Sequence, residues 1–565
     1  MSKIEFIALG GLDEKDNKCF ILTIDEEIFV INAGILVPPN AQLGVKKITP
    51  DFNWLIERKA AVKGIFIGQP EYANFGSLEF LNEYFSNTPI YTTDIGKEII
   101  SSFFNSNSFE EEKRELKLNF KTVEGLKTEK VGSIDVIPFK TTTTIPNTVG
   151  FVFKNKEDSV IYIDDFIISS NKVLAFTNQI QQLPSLINTP NKILITSIGN
   201  VDKISGFTAP SHTISHDIEN IIADAKGKII FATTDSDFYK MFFIMKMVAQ
   251  KGRPIYFYDK LAEQQMKTMF ANKYFSFKAP FKFLKSEELA TATNALIIVT
   301  AQISNLYPLL TDIINGDDNL IKIEKTDSFV VGSPTINGYE KYHAELFDDA
   351  NEADIENIVD LGKKVSQIKA GNEDHKFLIT TVKPNYIIPV GGLYMDFVNY
   401  KNVASLSTNR ESVIFADNGQ KIRFDNGNLQ RSSKEDFIHL EPQFIGSHGV
   451  ADSGASSMFE REQMKNNGAL VVSLMIGKQT KTISKYNFDQ VGIVNMDDAT
   501  IAATNEINKE IVEDLNKLLA ASPTGENIDL KEFKNIIKKI SQKKYEKKFD
   551  KKPLVLSTII FSKGN

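Results

Sequence analysis

Three carboxylates stand where they could take part in chemistry. Glu71 follows a short apolar strand and its turn, while Asp164 and Asp165 come directly after the apolar run at 160–163. Carboxylates gathered at strand ends could hold a hard, oxygen-preferring ion such as Mg²⁺ or Mn²⁺. Three side chains are few ligands for such an ion, so solvated or hydrogen-bonded acids are the competing interpretation.

Histidines, the usual zinc ligands, are scarce in this chain. None lies in the first 211 residues, so a histidine-rich zinc site cannot form there. His212 and His216 have the i, i+4 spacing that places two ligands on one helix face. They follow Pro210-Ser211, a helix-start signal, which favours ordinary residues of a first helical turn. The six histidines are His212, His216, His343, His375, His439 and His448.

The elements that must position the carboxylates are short strands interrupted by helices. The apolar run Gly64–Ile67 predicts a strand that leads through a turn into a helix beginning at Gly76. From about Ile193 the pattern changes to alternating strands and helices, which is typical of a parallel α/β sheet. The strand Tyr386–Val390 then returns the chain to the first domain.

The amino-acid composition changes in the last part of the chain. Residues 446–466 are rich in glycine, serine and asparagine, which predicts a linker. A small domain with two strands, two helices and a final strand is predicted to follow. Its predicted elements are Ala469–Ile476, Gln490–Asn495, Asp498–Ala521, Leu530–Lys548 and Leu554–Phe561.

Composition excludes several classes of protein. The 565 residues are 42% hydrophobic and 24% charged, as in ordinary globular proteins of several domains. A single cysteine, Cys19, excludes intramolecular disulfides and cysteine-rich zinc sites. No segment approaches the roughly 18 apolar residues of a membrane span, so we expect a cytoplasmic protein without membrane partners. The net charge of −7 does not favour tight RNA binding by this chain alone.

An ordered series of weak motifs resembles the ribonuclease J family. It starts with Leu9-Gly10-Gly11-Leu12 and Asn32-Ala33-Gly34, continues through Ile145-Pro146-Asn147 and Gly206-Phe207-Thr208, and reaches Pro384-Asn385-Tyr386. The resemblance implies an αββα metallo-β-lactamase sandwich, an inserted parallel α/β domain of the β-CASP type and a small α+β C-terminal domain. The domains it implies are 1–205 with 365–445 (metallo-β-lactamase), 206–364 (β-CASP), 446–466 (linker) and 467–565 (C-terminal assembly domain).

The same resemblance implies a dinuclear zinc site whose ligands are replaced in this chain. Only the bridging aspartate of the family, here Asp165, is retained. Zinc, the family cofactor, is therefore not expected, and no residue is expected to be catalytic. The replaced positions are Asn32, Gln69, Glu71, Ala73, Asn74, Thr143, Lys369 and Gly391.

RNA-binding positions implied by the resemblance are also altered. The loop that would hold an RNA 5′-phosphate has lost its glycines and carries Gln302 and Ser304, while Ser333 belongs to a partly retained second loop. A lysine-rich C-terminal helix includes Lys543, Lys544 and Lys547. This helix has two interpretations, a solvated face of a packed amphipathic helix or a patch for RNA or an acidic partner.

By resemblance, the family degrades RNA from the 5′ end, also cuts it internally, and serves mRNA turnover and rRNA maturation. The missing ligands predict an inactive or weak subunit that forms homo- or hetero-oligomers with an active ribonuclease J through the C-terminal domain. One alternative is residual nuclease activity with Mn²⁺ or Mg²⁺ at Glu71, Asp164 and Asp165. The other is an RNA-binding regulator without a nuclease partner.

Overall fold

The computed structural model forms two compact units, Met1–Val450 and Ala451–Asn565. It describes residues 2–562 except 39–43, 107–115, 170–173, 202, 211–213, 276–279, 337, 366, 434–435, 447–448, 451–454, 478, 496 and 522–528. No helix within these described ranges is both long and apolar enough to cross a membrane.

Two sheets dominate the first unit, and short helices connect their strands. The strands before the insertion are β1 Lys3–Gly10, β2 Cys19–Ile24, β3 Glu27–Ile31, β4 Lys47–Thr49, β5 Val62–Phe66, β6 Ile90–Thr92, β7 Phe120–Thr122, β8 Glu129–Val131, β9 Ile134–Lys140, β10 Val149–Lys154, β11 Asp158–Ile163 and β12 Asn191–Ser197. The helices among them are α1 Asn53–Ile56, α2 Tyr72–Phe75, α3 Leu78–Phe85, α4 Asp94–Asn105 and α5 Leu183–Leu186.

The inserted region is a parallel sheet with helical crossovers. Its elements are α6 Ser215–Asp224, β13 Ile229–Thr234, α7 Phe238–Gln250, β14 Ile255–Phe257, α8 Lys260–Ala271, α9 Ser286–Leu289, β15 Leu296–Ala301, α10 Ile303–Asn315, β16 Ser328–Val331, α11 Glu340–Glu352 and β17 Asn357–Asp360. The strand order is β14-β15-β13-β16-β17, and every neighbouring pair is parallel. The carboxyl ends of all five strands therefore share one edge.

After the insertion the chain completes the first unit. The returning elements are α12 Asn372–Val382, β18 Tyr386–Val390, α13 Tyr394–Ala404, β19 Lys421–Asp425, β20 Asn428–Leu429, β21 Gln443–Gly446 and β22 Gly449–Val450. The eight-stranded sheet has the order β20-β19-β1-β2-β3-β5-β6-β7, and the six-stranded sheet has the order β18-β12-β11-β10-β9-β8. A small third sheet has the order β22-β21-β4.

The two larger sheets face each other across an aromatic core. Ring centroids of Phe29 and Phe153 lie 5.5 Å apart, and those of Phe66 and Phe151 lie 5.4 Å apart. Helices α3 and α4 pack on the outer face of the eight-stranded sheet, and α12 and α13 pack against the six-stranded sheet. Central strands are thus buried on both faces, which explains their continuous apolar runs. The predicted αββα sandwich and parallel insert are confirmed.

The second unit packs two helices on one face of a three-stranded sheet. Its elements are α14 Ala455–Asn467, β23 Ala469–Gly477, β24 Ile483–Val491, α15 Asp498–Ala521, α16 Leu530–Phe549 and β25 Leu554–Ser562. Strand β23 pairs antiparallel with β24 and parallel with β25. Alternate residues of β23, such as Leu470 and Val472, are buried against Ile511 and Ile537 of the two helices.

Three local predictions differ from the structure. The strand predicted at Gln490–Asn495 is wrong, because β24 lies earlier and is mostly exposed, so it carries no apolar run. The predicted linker 446–466 contains most of α14, a polar helix whose composition resembles that of a loop. The helix predicted from Gly76 is α3, which begins two residues later at Leu78, because Gly76 ends α2 at a place where a Cβ would lie 2.4 Å from Ile35 Cγ2.

Candidate functional site

The candidate site forms where strand ends of the two facing sheets converge. Strands β11, β12 and β18 are parallel neighbours, so residues 164–165, Ser197 and Gly391 lie at one edge. From the facing sheet, the parallel strands β3 and β5 bring Asn32 and the loop 69–74 to the same region. The topology thus assembles residues that are far apart in the chain.

Asp164 is the centre of a buried hydrogen-bond cluster. Lys18 Nζ donates to its Oδ1 at 2.6 Å. Asn32 Nδ2 and Asn74 Nδ2 donate to its Oδ2 at 3.1 and 3.0 Å. Both oxygens of the carboxylate are therefore engaged by N–H donors, one of which carries a full positive charge.

Asp165, the acid that the resemblance predicts to be retained, is held by a second set of donors. Ser197 Oγ donates to its Oδ1 at 2.8 Å, and Lys369 Nζ lies 3.2 Å from its Oδ2. Lys18 Nζ is 3.8 Å from the same oxygen. Burial raises the pKa of Asp165, but the two ammonium groups outweigh burial and lower that pKa to about 2. Asp165 is therefore a carboxylate at neutral pH.

Lys18 is the functional-site residue that the sequence did not reveal. Its side chain is buried, and its pKa is raised because attraction to Asp164 and Asp165 exceeds the opposing effect of burial. A Cβ added at Gly391 would lie 2.9 Å from Lys18 Cε and 3.1 Å from Ser197 Oγ. The lysine therefore takes the space that a side chain at position 391 would need.

Gln69 and Glu71 form a separate pair beside this cluster. Gln69 Nε2 donates to Glu71 Oε1 at 2.7 Å. Burial, followed by repulsion from Asp165, raises the pKa of Glu71 to about 7, although Lys369 acts in the opposite direction. Glu71 is accordingly divided between its acid and carboxylate forms near neutral pH.

Two of the replaced positions bond elsewhere. Thr143 Oγ1 donates to the Ile145 carbonyl at 3.2 Å and lies 3.3 Å from the Thr148 hydroxyl, so it stabilises its own loop. The Ala73 carbonyl accepts from Ile35 N at 3.2 Å. The structure thus brings together most of the predicted site positions around Asp164 and Asp165, while these two serve the surrounding backbone.

The residues present do not fit a dinuclear zinc centre. Zinc is normally bound by imidazole, thiolate or carboxylate, whereas the carboxylate oxygens here accept from ammonium, amide and hydroxyl donors. Asn32 and Asn74 turn their NH₂ groups toward Asp164. Within the described part of the chain, no group of three or more His, Cys, Asp or Glu is arranged to hold a metal ion.

The predicted histidine pair does not form a described site. His212 lies outside the described residues. His216 lies in the first turn of α6 with an exposed side chain. His375 is buried, and burial lowers its pKa to about 4, so it is a neutral core residue.

The RNA-binding candidates of the insert lie at the carboxyl edge of its parallel sheet. Gln302 precedes α10, Ser304 lies in its first turn, and Ser333 follows β16. Ser304 Oγ is 3.5 Å from Asn305 Oδ1. Ser304 and Ser333 are both buried. RNA binding by these residues stays a prediction.

Acidic residues lie at the same edge of the insert. Asp235 follows β13, and Asp259 is the N-cap of α8. Burial and the neighbouring Asp259 raise the pKa of Asp235 to about 6. These acids oppose the binding of a phosphate, which needs positive charge or free N–H donors.

In the lysine-rich helix, Lys544 differs from the other two named lysines. Lys544 Nζ lies 2.8 Å from Glu510 Oε2 and 3.1 Å from Asp514 Oδ2, which ties α16 to α15. Lys543 and Lys547 are exposed. One predicted RNA contact is therefore engaged within the domain.

Comparisons with known proteins identify the family. Residues 457–561 match the ribonuclease J C-terminal domain. The chain is 34% identical to the uncharacterized protein MG423 of Mycoplasma genitalium, over 99% of this chain and 100% of that protein. It is 25% identical to Ribonuclease J2 of Bacillus subtilis, over 85% of each chain. A crystal structure of a protein of unknown function from Enterococcus faecalis V583 shares the fold, with a TM-score of 0.52 and 13% identity over 75% of this chain and 100% of that chain.

The fold defines an α/β protein of the metallo-β-lactamase class, with a parallel insert and a separate C-terminal domain. The similarity to named ribonucleases extends over most of the chain, and the C-terminal domain matches the family model. The chain belongs to the ribonuclease J family.

Proposed function

We propose that this chain is an inactive or weakly active ribonuclease J-type subunit. It acts in the cytoplasm by assembling with an active ribonuclease J through its C-terminal domain, in mRNA decay and rRNA maturation. No cofactor is required for this role. The subunit would contribute stability or substrate guidance to the active partner.

The observation that carries this proposal is the content of the candidate site. Metal-dependent hydrolysis needs a metal-activated water and a cation near the phosphorus atom. Here the oxygens of Asp164 and Asp165 face lysine, carboxamide and hydroxyl donors. A site filled in this way favours a role that does not depend on cleavage by this chain.

The C-terminal domain supports the assembly part of the proposal. Its match to the ribonuclease J C-terminal domain covers almost the whole second unit. The sheet face opposite the helices carries Leu556 and Ile560, each 54% exposed, in register with Val471 and Met475. An apolar sheet face of this kind suits burial in an oligomer.

Co-purification with a histidine-containing ribonuclease J from the same cell tests the proposal. We expect a stable complex by gel filtration and light scattering, and loss of that complex when residues 451–565 are deleted. The Lys251→Ala variant is a control that should still form the complex, because its exposed side chain lies in the first unit, outside residues 451–565. Failure to co-assemble would overturn the proposal.

Digestion of 5′-monophosphorylated RNA separates the first alternative. We expect no more cleavage by this chain than by its Asp165→Ala variant, with Zn²⁺, Mn²⁺ or Mg²⁺ present. Cleavage that the Asp165→Ala change abolishes would establish a residual nuclease instead. RNA affinity that falls steeply with salt and depends on Lys543 and Lys547, without a protein partner, would establish a regulator.

A further inference from the structure

We propose that Lys18, together with Lys369, replaces the metal ions of the pocket and closes it to divalent cations. The lysine ammonium groups supply the positive charge that Asp164 and Asp165 need, and the Lys18 side chain fills the space beside Gly391. This inference concerns the pocket alone and does not depend on assembly with another subunit.

The pocket lacks room for both Lys18 and a side chain at position 391. Lys18 enters the pocket from the residue before β2, and its Cε lies 2.9 Å from the Cβ position of residue 391. Gly391 has a φ of +72°, a backbone conformation that favours glycine. Any side chain at 391 would therefore be disfavoured twice. It would clash with Lys18, and it would require a residue other than glycine to adopt a positive φ.

The two lysines supply the positive charge beside the paired carboxylates. Asp164 and Asp165 are buried and lie side by side, so each would repel the other in the absence of a cation. Lys18 Nζ lies 2.6 Å from Asp164 and 3.8 Å from Asp165, and Lys369 Nζ lies 3.2 Å from Asp165. Two ammonium groups therefore balance two carboxylates.

Both oxygens of Asp164 already accept hydrogen bonds. Asp164 accepts from Lys18, Asn32 and Asn74. A divalent cation would have to displace the Lys18 ammonium group from Asp164 Oδ1 while lying close to that same positive charge. Entry of a metal ion would thus break the buried ion pair between Lys18 and Asp164. It would also place the positive metal ion next to the positive ammonium group of Lys18.

Metal titration of the full chain and of Lys18→Met tests the proposal. We expect Zn²⁺ and Mn²⁺ to leave the Tm of the parent protein unchanged, with no stoichiometric metal after dialysis. The Lys18→Met change leaves two buried carboxylates short of one cation. It should lower the Tm in EDTA, raise Mn²⁺ affinity at least about tenfold and let Mn²⁺ restore part of the lost Tm.

Lys240→Met is the matched control. Lys240 and Asp237 form another buried ion pair at 2.5 Å, in the inserted domain, with a single carboxylate. We expect its Tm to fall without any gain of metal binding. An equal gain in Lys240→Met would show that the effect is not specific to the Asp164–Asp165 pair and would overturn the proposal.

Lys369→Met keeps the test informative if Lys18→Met does not fold. Its side chain is 29% exposed, so the change is milder, and we expect a smaller gain of Mn²⁺ binding in the same direction. Stoichiometric metal in the parent protein that Asp165→Asn removes would contradict the proposal. Folded lysine variants that bind no more Mn²⁺ than the parent would contradict it equally. None of these results bears on co-purification with an active subunit.

Discussion

The two parallel strand edges of the first unit place acids that follow a strand in opposite electrostatic settings. In the sandwich, Asp165 lies beside Lys18 and Lys369, and its pKa falls to about 2. In the insert, Asp235 has another acid, Asp259, as its neighbour, and its pKa rises to about 6. Similar topology therefore does not determine whether an ionised carboxylate at a strand end stabilises the fold. The charges of its neighbours determine whether its contribution to stability is favourable or unfavourable.

The largest expected effect comes from removing the cation of the sandwich edge. Lys18→Met should lower the free energy of unfolding by about 3–5 kcal/mol, because it leaves buried carboxylates without their main partner. Chemical denaturation can follow the first unit through Trp54, the single tryptophan of the chain. Adding Asp164→Asn should restore at least about 1 kcal/mol. A double variant as unstable as the sum of both changes would refute the pairing.

Removing one acid from each strand edge, in the sandwich and in the insert, should have opposite effects. Asp165→Asn should destabilise the fold by about 3 kcal/mol, since Lys18 and Lys369 lose a shared carboxylate. Asp235→Asn should instead stabilise it by about 1–2 kcal/mol at pH 7, because it removes a disfavoured charge. Both changes preserve side-chain size, so each serves as the other's control in urea denaturation. If both changes stabilised the fold, or both destabilised it, the proposed difference between the two strand edges would be wrong.

A smaller effect should appear in the pH dependence. The raised pKa of Asp235 means that its favourable contribution is complete below its ordinary pKa and is lost as the pH rises through about 6. The lowered pKa of Asp165 makes its contribution complete above its ordinary pKa and lost as the pH falls toward 2. The advantage of Asp235→Asn over the parent should therefore grow by about 1 kcal/mol between pH 5 and pH 7. An advantage that shrinks with pH would contradict the assignment.

Glu71→Gln should have the smallest effect. The pKa of Glu71 is about 7, and its partner is the neutral amide of Gln69, so a second amide replaces an acid that is half protonated. Because ionisation of Glu71 is completed between pH 7 and pH 8, we expect the advantage of the variant over the parent to grow by less than about 1 kcal/mol between these two pH values. Glu83→Gln, on the nearby helix α3, is a control outside the pocket, because its carboxylate is exposed. A large loss in Glu71→Gln would mean that its carboxylate holds part of the cluster together.

The strongly apolar elements could be predicted from the sequence, and the polar ones could not. Buried strands such as Tyr386–Val390 and amphipathic helices such as Asp498–Ala521 appear where their apolar patterns indicate. Strand β24 and helix α14 expose most of their side chains or carry little apolar surface, so periodicity has little to detect. Their structure depends on pairing and packing with distant segments.

For the candidate site, the sequence predicted which positions come together but not how their side chains interact. Ordered motifs located most of the positions that meet around Asp164 and Asp165, but they did not show which side chain fills the space between them. Lys18 precedes an ordinary apolar strand, and its partner Asp164 is 146 residues further along the chain. Only the fold shows that a lysine beside a buried strand points inward rather than to solvent.

The contact between Lys18 and position 391 also restricts how this protein can change. A histidine introduced at 391 would enter a left-handed backbone position with its Cβ 2.9 Å from Lys18 Cε. That single substitution would destabilise the fold before any metal could compensate for it. A histidine at 391 therefore requires Lys18 to change first or at the same time. Because of this order, a metal-binding side chain at 391 cannot be gained in a single step while the packed lysine is present.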